Sequence, residues 1–91
     1  MHEYLLLIYE NDENGNKKNG VEPQYFEFDN KLKLRAKYNF YRNQYQIIID
    51  PETGESTTTG NRAYTVELSQ CQYKTMSRAD ADAFIASIVT A

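Results

Sequence analysis

Lys31-Leu-Lys-Leu-Arg-Ala-Lys-Tyr-Asn-Phe-Tyr41 is the stretch on which the fold of this 91-residue chain turns. Leu32, Leu34, Ala36, Tyr38 and Phe40 alternate with Lys31, Lys33, Arg35, Lys37 and Asn39. Strict alternation puts one set on each face of a strand, because successive strand side chains point to opposite sides. The spacing therefore predicts a half-exposed antiparallel strand over 31–41 with a solvated basic face. Alternate strand residues lie about 7 Å apart, so Lys31 to Lys37 would form a basic row about 20 Å long.

The flanking segments extend this reading. The apolar run Tyr4 to Tyr9 has the form of a central strand, over about 3–10. The polar stretch 11–22, with two Asn-Gly pairs and no apolar residue before Val21, is expected to be a loop. Pro23 precedes a strand over about 24–29, and Asn30-Lys31 is read as a tight turn. Arg42-Asn43 is read as a hairpin tip leading into a strand over 44–50. Pro51 stops that strand, and 51–62 is expected to be a second polar loop. A strand over 63–72 follows, carrying Tyr64, Val66 and Leu68 on one face. From Ser77 the period changes. Ser77 with Asp80 resembles a capping box, and Ala81, Phe84, Ile85, Ile88 and Val89 follow helical spacing over about 78–90.

The expected fold class is α+β: one domain over 1–91, with a twisted antiparallel sheet of about five strands and a C-terminal helix on one face. Lys33, Arg35 and Lys37 would lie on the far face. The expected core contains Leu5, Leu7, Leu34, Ile47, Val66, Phe84, Ile85 and Ile88.

Composition limits the function. The net charge of −3 suits neither a strongly basic duplex binder nor an extreme acidic mimic. Five of the ten basic residues nevertheless fall in 30–49, where there is no acid. One cysteine, Cys71, suggests a reducing, cytoplasmic setting, and the short apolar run at the start suits neither a secretory signal nor a membrane span. One Cys and one His cannot supply four zinc ligands, and the four glycines form no phosphate loop. His2 and Cys71 are not brought together with an orienting group by any strand pattern. No catalytic residue, cofactor or metal is expected.

Asp50-Pro-Glu-Thr-Gly-Glu55 resembles, over six residues, the acidic turn by which clients dock onto a Kelch-type ubiquitin-ligase adaptor. Read plainly, Pro, Thr and Gly after a strand make a turn. Glu3 to Tyr9 looks like the opening strand of YCII-like ferredoxin-fold domains and of a small CRISPR-adaptation nuclease subunit. Both families next require a helix, which 11–22 does not supply.

The expected function is a small non-enzymatic protein-binding module. Its sharpest form is a phage or mobile-element inhibitor of a host enzyme or defence complex, anti-CRISPR-like, meeting an acidic surface or a multi-subunit assembly. The expected contact residues are Lys31, Lys33, Arg35, Lys37, Tyr41, Arg42 and Tyr45. A second expectation is a single-stranded nucleic-acid binder, with the basic row on phosphates and Tyr41 or Tyr45 stacking on bases. A third is a structural or virion subunit that assembles as a homo-oligomer through exposed strand edges. No membrane association is expected.

Overall fold

The computed structural model describes residues 3–70 and 74–88, and in it Lys31–Arg42 is a helix, α1. The strand expected there does not form. No β-branched residue occurs between 31 and 42, while Leu, Lys, Arg and Ala favour helix. Asn30 caps α1: its Oδ1 accepts from the backbone N–H groups of Leu32 at 2.9 Å and Lys33 at 3.1 Å. Leu34, Tyr38 and Tyr41 recur at i, i+4 and i+7, and this stripe faces the sheet, with Leu34 and Tyr38 buried. The alternating letters thus concealed a helical period.

The strands form two separate sheets rather than one of five strands. The main sheet has the order β2-β1-β5-β6 and is antiparallel throughout. Its members are β1 (Tyr4–Glu10), β2 (Gln24–Phe28), β5 (Tyr64–Gln70) and β6 (Lys74–Thr75). The other is a two-stranded ribbon of β3 (Tyr45–Ile49) and β4 (Ser56–Arg62). Residues 56–62, expected to belong to a loop, are a strand. Thr57, Thr58 and Thr59 supply the β-branched side chains that suit one. Among residues 11–22 there is a tight turn and an isolated Asn11–Lys17 bridge, with no helix.

Register fixes the core. Leu6 lies opposite Phe26 and Leu68, and Ile8 lies opposite Val66. The inner face thus carries Tyr4, Leu6, Ile8 and Leu68, all buried. Leu5 and Leu7 point to the opposite face and are half-buried, so the expected core had the wrong parity in β1. Of the other expected core residues, Leu34, Ile85 and Ile88 are buried, and Val66 and Phe84 pack at the margin. Ile47 lies outside the core.

Helix α2 (Arg78–Ser87) covers the same face as α1. Ser77 caps it by accepting from the Asp80 N–H at 3.2 Å. The two helices are tied directly: the Tyr38 hydroxyl donates to Asp82 at 2.5 Å, and Arg35 Nη1 donates to the Ile88 carbonyl at 2.7 Å. No helix among the described residues is long and apolar enough to cross a membrane.

The parity of β1 makes a direct prediction. Leu6→Ala should cost about 2–5 kcal/mol in urea unfolding, the range for emptying a buried leucine site. Leu5→Ala, on the open face, should cost about 1 kcal/mol. The reverse order would contradict the register.

Candidate binding surface

The ribbon β3–β4 is the part of the molecule that the core does not hold. It begins where Ala63 N–H donates to the Gln44 carbonyl at 2.9 Å, and its base is tied to the loop before β2. Asn61 Nδ2 donates to the Glu13 carbonyl at 3.1 Å, and Gln46 Nε2 donates to the Asp12 carbonyl. Among the described residues, neither strand packs extensively on any element outside the ribbon. The radius of gyration is 15.0 Å, against about 12 Å for a compact domain of this length.

This arm exposes what a domain usually buries. Ile47 and Ile48 are each 62 % exposed and Ile49 is 66 % exposed. Their cross-strand partners are Thr58, Thr57 and Ser56, which are too short to shield them. Because consecutive side chains alternate, Ile48 lies on one face of the ribbon and Ile47 and Ile49 on the other.

The tip is ordered by its own hydrogen bonds. Asp50 Oδ1 accepts from the Glu52 N–H at 2.9 Å, and the Asp50 carbonyl accepts from the Gly54 N–H at 2.8 Å. Gly54 has φ +74°, a left-handed conformation that glycine adopts without steric cost. Asp50, Glu52 and Glu55 are all exposed, and no cation lies between Asn43 and Asn61. The arm carries three exposed isoleucines on β3, a polar β4 and an acidic end.

The seven residues expected to form a binding row are dispersed by α1. Lys31, Arg35 and Arg42 lie toward α2: Lys31 Nζ sits 5.9 Å from the Phe84 ring centre, and Arg42 Nη2 is 3.4 Å from Asp82. Lys33 and Lys37 lie on the other side, with Lys37 Nζ 4.5 Å above the Phe26 ring. Tyr41 is half-buried among Phe26, Phe40 and Tyr64, and its ring centre is 5.0 Å from that of Tyr64. Tyr45 lies at the base of the arm under the Arg62 guanidinium, at 4.4 Å. The continuous basic row therefore does not exist.

What α1 does expose is a shallow hollow of about 470 Å³ lined by Phe28, Lys33, Ala36, Lys37 and Phe40. The four helical residues follow i, i+3, i+4 and i+7, one stripe of the helix. Phe40 is 59 % exposed there. Apolar floor and cationic rim occur together.

The Tyr38–Asp82–Arg42 cluster is structural in its contacts. Burial, then the Asp82 carboxylate, pushes the Tyr38 hydroxyl up to about 12. Burial acts to raise the Asp82 carboxyl, but hydrogen bonds from Tyr38 and Arg42 outweigh it and hold the group below the usual carboxylate range. Among the described residues, no group of three His, Cys, Asp or Glu side chains could hold a metal ion. His2 and Cys71 lie outside the described residues.

The arm carried a legible signal: two β-branched triplets, Ile47 to Ile49 and Thr57 to Thr59, flank an Asp-Pro turn. Comparison of the chain with protein-family models, with curated proteins and with solved structures finds no match.

The cluster predicts a pH dependence of stability. The raised Tyr38 pKa contributes stability that is complete below its ordinary value of 10.0 and lost as pH rises toward about 12. The depressed Asp82 pKa contributes stability present above the ordinary carboxylate value and lost as pH falls through the depressed one. In urea titrations, Tyr38→Phe should flatten the alkaline limb, and Asp82→Asn should flatten the acid limb. Profiles parallel to wild type would exclude the coupling.

Proposed function

We propose that this protein is a non-enzymatic binding module whose working surface is the β3–β4 arm, and that its partner is a protein. The observation that carries this reading is the run of three exposed isoleucines on a ribbon that, among the described residues, no other element packs against extensively. A two-stranded hairpin is at best marginally stable alone, and clustered exposed apolar residues mark interaction sites. An arm of this kind gains burial and order when a partner closes over it. The acids at its end would set orientation and encounter rate more than affinity.

Nucleic acid is the weaker reading. The arm contributes three negative charges, and α1 replaces the phosphate-spaced row with cations that lie on different sides of a helix. Exposed isoleucines beside an acidic end suit a protein surface better than a phosphate backbone.

Affinity capture tests the proposal. A tagged chain should retain a stoichiometric protein, an untagged copy of itself included, that survives nuclease treatment. Ile47→Ser with Ile49→Ser should lower that retention on the order of tenfold or more, as for loss of central interface anchors. The thermal melt should move little, since neither site is buried. Retention unchanged by the substitutions, or companions that vanish with nuclease, would contradict the reading.

The Asp50–Glu55 turn favours a second reading in the same class. The stretch that resembles a Kelch-adaptor docking motif stands at the exposed end of a hairpin, closed by the Asp50–Gly54 and Asp50–Glu55 backbone hydrogen bonds. A preordered turn loses less entropy on binding. Fluorescence polarisation against an isolated Kelch domain would show saturable binding abolished by Glu52→Ala with Glu55→Ala; absence of binding by the unsubstituted chain would remove this reading.

A further inference from the structure

We infer that the occupant of the arm is a second copy of this chain, with the arm of each copy seated in the α1 hollow of the other. The inference rests on the arm being the working surface and names its partner.

The two surfaces are complementary in charge and alike in polarity. Between Asn43 and Asn61 the arm has Asp50, Glu52 and Glu55 and no cation. Helix α1 has Lys31, Lys33, Arg35, Lys37 and Arg42 and no acid. Three of these cations, Lys31, Arg35 and Arg42, turn toward α2. Lys33 and Lys37 remain at the rim of the hollow, whose floor is Phe28, Ala36 and Phe40. Isoleucines on β3 with acids beyond them meet an apolar floor with cations at its edge.

Ile47 and Ile49, which share one face of the arm, cover Phe40 of the other copy, and Glu52 and Glu55 reach Lys33 and Lys37. Because each chain carries one arm and one hollow, a twofold pair makes both contacts at once and leaves no arm and no hollow without a partner. Such closure separates a finite pair from an open filament.

The test uses charge reversal on the full chain. One variant carries Lys33→Glu and Lys37→Glu, so that its hollow is acidic and its arm unchanged. The other carries Glu52→Lys and Glu55→Lys, so that its arm is basic and its hollow unchanged. In a mixture of the two, both arm–hollow contacts are again between opposite charges; within either variant alone, both are between like charges. Sedimentation velocity across micromolar to submillimolar concentration should show a wild-type pair. Each variant alone should shift toward monomer by at least about tenfold in dissociation constant, and their equimolar mixture should recover the pair. Circular-dichroism melts of both variants establish that they fold.

A wild type that stays monomeric throughout overturns the inference, as does a folded variant that pairs like wild type or a mixture that fails to pair. Assembly that grows without limit overturns the reciprocal arrangement. A monomeric chain that still captures another protein, and loses it with Ile47→Ser and Ile49→Ser, removes the second copy but leaves the binding-module reading standing. If the isoleucine substitutions alter neither pairing nor capture, both readings fall.

Discussion

Leu34 and Tyr38 on one face of α1, seated over Leu6, Ile8 and Leu68, are the constraint on which the rest of the molecule depends. Their spacing requires a helix, because only a 3.6-residue period puts 34, 38 and 41 on one side. Once α1 is a helix over the sheet, its basic residues cannot share a face. Those toward α2 are engaged, two with α2 and its C-cap through Asp82 and the Ile88 carbonyl and Lys31 with the Phe84 ring. Lys33 and Lys37 are left beside Phe40. The same seating fixes where the chain leaves the core at Asn43, and hence where the arm begins.

The chain divides into a part stabilised by burial and a part that is not. The main sheet and its two helices share one apolar cluster, with cross-strand register and both helix caps in agreement. The arm has strand propensity, a well-formed turn and few attachments outside its base. Three isoleucines at more than 60 % exposure represent apolar area that folding of a single copy leaves in water. Association is the process that would remove it. In this account the acidic arm and the cationic hollow are two halves of one surface carried on one chain.

Strands β2 and β3 and the C-terminal helix were legible because Pro23, Pro51 and the Ser77 cap bound them, and β1 and β5 because their apolar residues run on or alternate as strands do. Helix α1 was not, although its evidence was present: no β-branched residue from 31 to 42, a helix-favouring composition, and an Asn cap mistaken for a tight turn. Alternation is weak evidence for a strand when a second stripe at i, i+4 and i+7 fits the same letters. The parity of β1 was illegible for a different reason. Tyr4 to Tyr9 is apolar at every position, so the pattern cannot say which residues face the helices; only pairing with β5 decides it. The arm was half legible: β3 was anticipated, whereas the β-branched signal of Thr57 to Thr59 in β4 was outweighed by the polar run and Gly60 around it.

Amide hydrogen exchange, followed by NMR from dilute to concentrated solution, distinguishes an arm that waits for a partner from one packed on its own domain. In dilute solution β1, β5 and α1 should exchange slowly, while Ile47 to Ile49 and Thr57 to Thr59 exchange close to the unstructured rate. Protection of the arm should then rise with concentration, and the Phe40 ring resonances should shift with it. Arm amides as protected as the core in dilute monomer would mean that the arm packs on its own domain, and would contradict the account.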